Sequence, residues 1–171
     1  MRIMGLDVGS KTIGVALSDP ARIISQPFSV IKRIGSRHDI DQLCQIVNDE
    51  EVSLIVVGLP MNTDGSLGKS AVYVMEFTEK LKKHVSVPIV MWDERFSTTE
   101  AERALISADV SRQKRKGVID SVAAAIILDG YLDRLKQQCD ISSGCESKGF
   151  PMENIAKNRR AEEEIKPGEY A

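Results

Sequence analysis

Apolar residues recur along the chain with two different periods, and the changes between them mark out its elements. Ile3-Met4-Gly5-Leu6 is a short apolar run that stops at Asp7. Ile13, Val15 and Leu17 then alternate with Thr12, Gly14, Ala16 and Ser18, the period of two that a pleated strand imposes. Gly9-Ser10-Lys11 between these runs supplies a tight hairpin turn. A third strand is expected over residues 28–32, before Gly35. From Asp39 the period lengthens, and Ile40, Leu43, Cys44 and Val47 mark one face of a helix. Residues 54–58 are continuously apolar and rich in β-branched side chains, as in a strand buried on both faces. A turn-rich loop from Pro60 to Gly65 follows. Ala71, Val74, Thr78 and Leu81 then space out a second helix, and residues 87–92 a strand ending at Asp93-Glu94. Ser97-Thr98-Thr99-Glu100 is a capping box opening a third helix, with Ala101, Ala104, Leu105 and Ala108 on one side. The polar, basic residues 111–117 read as a loop, and Asp120 stands at the start of an apolar helix running to about Leu135.

The order is three meandering strands, then helix, strand, helix, strand and two helices. Strands separated by helices join a sheet through parallel crossovers. The expected fold is therefore α/β, a mixed five-stranded sheet with helices on its faces. Residues 139–171 are rich in Ser, Gly, Glu and Lys and show no apolar period, so they are expected to form a polar, disordered tail to a folded domain of residues 1–138.

Composition narrows the class. With 171 residues, 42% hydrophobic and 28% charged, the chain is long enough to bury a core without disulfides or a structural metal. Its three cysteines form no CxxC pair, and the odd number argues against a secreted disulfide framework. No apolar run approaches a membrane span, and Asp7 interrupts the N-terminus before a signal-peptide core can form. A cytoplasmic protein is expected. The net charge of −2 gives no global attraction to polyanions. Nucleic-acid binding would need a local patch, and Arg112, Lys114, Arg115 and Lys116 supply one.

The acids carry the candidate chemistry. Asp7 closes the first strand, Asp93 and Glu94 close a later one, and Asp120 begins a helix. Ligands of open α/β sheets gather at the carboxyl ends of strands. If the first and last strands are neighbours, these carboxylates converge at one edge, where they repel one another unless a cation lies between them. Hard oxygen ligands suit Mg²⁺ or Mn²⁺, and two such ions stabilise the attacking and leaving oxygens of an in-line phosphoryl displacement. Taken singly, each acid has a plainer role. Asp120 fits a helix cap equally well, Asp7 fits a turn, and one of Asp93 and Glu94 fits a surface charge.

Four segments in order make the chain recognisable: Gly5-Leu6-Asp7-Val8-Gly9-Ser10-Lys11-Thr12-Ile13-Gly14-Val15-Ala16; Val57-Gly58-Leu59-Pro60 with Asp64-Gly65-Ser66; Asp93-Glu94-Arg95-Phe96-Ser97-Thr98; and Asp120-Ser121-Val122-Ala123-Ala124 with Ile126-Ile127-Leu128. Over residues 1–138 the chain resembles the YqgF/RuvX family, described as Holliday-junction resolvases and as pre-16S rRNA nucleases. The resemblance implies a ribonuclease H-like fold, with Asp7, Glu94 and Asp120 as catalytic, metal-holding acids. It also implies divalent-metal-dependent phosphodiester hydrolysis in 5′-end processing of pre-16S rRNA. Lys11, Arg95 and the basic residues 112–116 are then expected to contact the nucleic acid. A junction resolvase would share every one of these residues and act as a homodimer, since two strands must be cut. Two other classes remain. Residues 7–12 also resemble the first phosphate loop of actin-like ATPases and sugar kinases, which bind nucleotide between two related domains; residues 1–138 leave no room for a second. A non-catalytic RNA-binding assembly factor is the third class.

Overall fold

The computed structural model describes residues 1–61, 66–93 and 112–142, with backbone alone for 112–119 and 139–142. Three strands come first: β1 (Arg2–Val8), β2 (Thr12–Ser18) and β3 (Ser25–Lys32). Helix α1 (Ser36–Asp49), strand β4 (Val52–Leu59), helix α2 (Lys69–Lys82) and strand β5 (Ile89–Asp93) follow, and a long helix α3 covers Arg112–Ser142. They form one five-stranded sheet in the order β3-β2-β1-β4-β5. The β1–β2 and β2–β3 pairs are antiparallel, and β1–β4 and β4–β5 are parallel. This is the ribonuclease H-like arrangement that the resemblance implies.

Strand alternation divides the core between the two faces of the sheet. Met4, Leu6, Val8, Ile13, Val15 and Leu17 pack with Ile40, Leu43 and Val47 of α1 and Val74, Phe77 and Leu81 of α2. Ile3, Ala16, Leu54, Val56 and Trp92 pack on the other face, against Ala124, Ala125, Ile127, Leu128, Tyr131 and Leu132 of α3. Successive side chains of a strand point to opposite faces, so both faces of β1 and β4 are apolar because both are covered. Trp92 is 8% exposed and meets Tyr131 edge-on, with ring centroids 5.5 Å apart.

Several boundaries differ from the sequence reading. Strand β3 begins at Ser25 rather than residue 28, because Pro27 sits in an edge strand, where a missing N–H is tolerated. The register shifts beside it, between Val15 and Ala16 of the neighbouring strand. Helix α3 is helical already at Arg112, so positions 112–117 are not a loop. Their Gln, Lys and Arg are good helix formers, and the single Gly117 costs only about 1 kcal/mol. At its other end α3 continues to Ser142, about two turns past Leu135. The capping box at 97–100 and the helix expected over 101–108 lie outside the described residues.

Candidate active site

Asp7 is the penultimate residue of β1, on the face that α3 covers. The residues two and four before it, Gly5 and Ile3, line that face. Its antiparallel partner is Gly14 of β2. A methyl group at Gly14 would overlap the backbone carbonyl of Asp120. Helix α3 therefore touches the sheet at the residue paired with Asp7, and only a glycine there lets it. Gly5 repeats the device farther along: a Cβ there would lie 2.7 Å from the Ala124 carbonyl oxygen and 2.8 Å from the Leu128 Cβ. Two glycines thus seat α3 across β1 and β2 and set Asp120 beside Asp7.

The charge state of Asp7 reflects this crowding. Burial pushes its carboxyl up from the ordinary 3.8 to about 6, and the nearby Asp120 carboxylate adds to the shift. Desolvation disfavours an ionised carboxyl, and a like charge does so again. Asp120 is half-buried and lies about two turns inside α3. It therefore does not cap the helix, and that plainer role falls away.

The strand that leads to the third acid is placed differently from expectation. The first and last strands are not neighbours, because β4 lies between them. Gly58 pairs with Trp92, and Leu6 with Val57, so Asp7 is level with Trp92 at two strand spacings, about 10 Å. All three parallel strands end at the same edge of the sheet. Asp93 closes β5 there, half-buried and engaged in an interaction of its own. Glu94 and Arg95 lie outside the described residues. Among the described residues, no three His, Cys, Asp or Glu side chains gather as a metal-holding group. The observed nucleus is the pair Asp7 and Asp120. Two hard carboxylates side by side in a half-buried position fit a divalent cation, which takes one or two carboxylates and completes its shell with water or phosphate.

The basic candidates fall into two groups. Lys11 is exposed at the tip of the β1–β2 hairpin, four residues after Asp7. Positions 112, 114, 115 and 116 lie on α3 rather than on a loop, and 112 and 116 precede Asp120 by about two turns and one turn of the same helix. His84 is exposed, with its Nδ1 2.9 Å from the Lys80 carbonyl oxygen, and His38 is exposed as well.

One pair escaped the sequence reading. Arg33 and Asp39 form an ion pair at 2.9 Å with side chains 8% and 1% exposed. Asp39 was legible only as the start of α1, which in fact begins at Ser36 and carries Asp39 in its first turn. The available signal was an acid set directly before Ile40 on the apolar face, six residues after an Arg.

Comparison with known proteins places this geometry. The RuvX family, described as Holliday junction resolvase, matches residues 1–134. The chain belongs to this family. A relative from Thermoanaerobacter pseudethanolicus is 53% identical over 139 residues, covering 81% of this chain and all of its own length. One from Clostridioides difficile is 53% identical over 132 residues, covering 77% of this chain and 94% of its own. Both are named as proposed pre-16S rRNA nucleases. Among solved structures, T. thermophilus RuvC in complex with a Holliday junction substrate superposes with a TM-score of 0.53 at 13% identity, over 80% of this chain and 96% of that one. At that identity the match bears on the fold, which is ribonuclease H-like. The family and its relatives are described as nucleases, hydrolases of phosphodiester bonds.

Proposed function

We propose that this RuvX-family chain is a divalent-metal-dependent nuclease that cleaves RNA in the maturation of the 5′ end of pre-16S rRNA, in the cytoplasm. The observation that carries the reading is the seating of Asp120 over Gly14, which brings two carboxylates together at the carboxyl edge of a ribonuclease H-like sheet. The names of the relatives supply the RNA substrate. Asp7 and Asp120, joined by Glu94, would hold Mg²⁺ or Mn²⁺, with two ions expected. When bound, such ions lower the pKa of bound water and neutralise charge on a phosphodiester.

The chain's own residues do the rest. Asp7, with its proton held up to about pH 6, gives up that proton as the site fills, and burial on the α3 face keeps its carboxyl fixed. Asp120 is held rigidly by the helix backbone packed on Gly14. Lys11, Arg95 and the basic first turns of α3 (Arg112, Lys114, Arg115 and Lys116) would grip phosphates on either side, with affinity that falls as salt rises. No side chain need act as a nucleophile.

The family's description favours a second substrate, a branched DNA junction, which would call for a homodimer. The test is cleavage of an end-labelled 5′-extended 16S precursor and of a four-way DNA junction, side by side, with Mg²⁺, with Mn²⁺ and with EDTA. Metal-dependent cleavage of the RNA, lost in Asp7→Asn, is the expected result. Preferential cleavage of the junction overturns the RNA assignment. Cleavage of neither substrate by folded, metal-supplied protein overturns the nuclease reading in favour of an assembly factor.

A further inference from the structure

Arg33 follows the last residue of β3 and turns back under the hairpin that carries Lys11. Its backbone N–H donates to the Lys11 carbonyl at 2.9 Å, and its Nη1 donates to the Gly9 carbonyl at 3.1 Å. Both ends of the three-residue loop are therefore tied to one residue. The guanidinium is itself held on its other sides. Nε donates to Asp39 Oδ2 at 2.9 Å, and the group stands 4.7 Å from the Phe77 ring centroid and 5.0 Å from that of Tyr73. Asp39 in turn accepts the Ile34 N–H at 3.3 Å through Oδ1. One side chain thus joins α1, α2 and the loop directly after Asp7, on the face of the sheet opposite α3.

Stability alone does not account for this arrangement. The hairpin already closes through its own bond, Gly9 N–H to the Thr12 carbonyl at 2.9 Å. A buried ion pair is a poor source of net stability, because desolvation of both charges offsets their attraction. A planar fork gripping a carboxylate and a carbonyl at once does, however, fix orientation. What it orients is the segment between Asp7 and the exposed Lys11.

We propose that Arg33, braced by Asp39, is a positioning residue that fixes the Gly9–Lys11 loop so that Lys11 meets a phosphate of the nucleic-acid strand held at Asp7 and Asp120. The proposal rests on the nuclease reading, and names a specific contributor to substrate binding within it. Lys11 supplies the charge, and Arg33 touches no substrate.

The experiment is a double-mutant cycle on RNA binding, run with the full chain in EDTA so that cleavage plays no part. Affinity for the 5′-extended 16S precursor is measured across a salt series for the wild type, Lys11→Ala, Arg33→Lys and the double variant. Lys11→Ala should weaken binding several-fold and lower the salt slope by about 0.7, the loss of one single-strand phosphate contact. In the Arg33→Lys background the same change should cost clearly less, because lysine lacks the planar fork that grips Asp39 and the Gly9 carbonyl at once, and only the backbone bond from residue 33 to the Lys11 carbonyl remains. Arg33→Met with Asp39→Leu replaces the ion pair by apolar side chains, an exchange that is often neutral for folding. It should reduce the Lys11 effect in the same way. Equal Lys11→Ala penalties in all folded backgrounds, or none in the wild type, overturn the proposal. A chain that binds RNA but never cleaves it sinks the nuclease reading instead, and leaves the cycle to judge this one.

Discussion

At the scale of single residues, Asp7 carries a conflict between stability and chemistry. Its carboxyl holds a proton up to about pH 6 in the folded chain, against an ordinary 3.8. Between those values the folded state binds more protons than the unfolded one, so stability falls as pH rises. The contribution is fully present below about pH 4 and is lost as pH passes through about 6. A shift of this size is equivalent to at most about 3 kcal/mol, reduced by the part of the carboxyl that water reaches. Without metal, Asp7→Asn should therefore be more stable than the wild type above pH 6, and the difference should shrink towards pH 4. Thermal unfolding in EDTA at several pH values measures this, and a variant less stable than the wild type at pH 8 would remove burial as the cause of the shift. Divalent metal should reverse the order. A ligand at a hundredfold its dissociation constant stabilises by about 2.7 kcal/mol, so Mg²⁺ or Mn²⁺ should raise the melting temperature of the wild type and hardly move that of Asp7→Asn. An equal rise in both would show metal binding elsewhere.

At the scale of elements, the site depends on how closely α3 approaches the sheet. A Cβ at Gly14 collides with backbone atoms of Asp120, which cannot swing aside as a side chain tip can. Gly14→Ala should lift the first turns of α3 away from β2, at a cost of about 1–3 kcal/mol or more, and take Asp120 out of reach of Asp7. Chemical denaturation and the cleavage assay together check this; a folded Gly14→Ala chain with full activity would show that the close approach is not needed. None of this was legible in the sequence, where a glycine inside an alternating strand says only that something comes near. The periods themselves read well. All five strands and helices α1, α2 and α3 sit where alternation or helical spacing placed them, because each buries an apolar face and the pattern encodes burial. The failures came where local chemistry misleads. Pro27 hid the start of an edge strand, and a polar, basic run without an apolar period hid the first turns of a helix. Sheet order is not written in any local pattern, so the spacing of Asp7 from the end of β5 emerged only with the fold. Arg33 and Asp39 were missed for the same reason, since an ion pair closed across three elements leaves no periodic trace.

At the scale of the whole molecule, the question is how much of the chain the site requires. The family match ends at residue 134, and the relative from Thermoanaerobacter pseudethanolicus aligns along its whole length with 139 residues of this chain. Among the described residues the two core clusters end at Leu135, and near that point α3 carries an exposed Lys136–Asp133 ion pair at 3.0 Å. Beyond Cys139 the chain holds five basic and seven acidic residues, leaving eighteen of each before it. Residues 143–171 hold five basic and six acidic residues, so removing them takes away one net negative charge. Because the family match and the full-length relative both stop before it, a chain ending at Ser142 should melt within about 2 °C of the full chain. Its cleavage of precursor RNA should be preserved, and its affinity at low salt should rise slightly, because one net negative charge no longer repels the phosphates. Raising the salt should erase that gain. A truncated chain that loses cleavage while keeping its melting temperature would give residues 143–171 a part in substrate handling beyond that proposed for Asp7, Glu94 and Asp120.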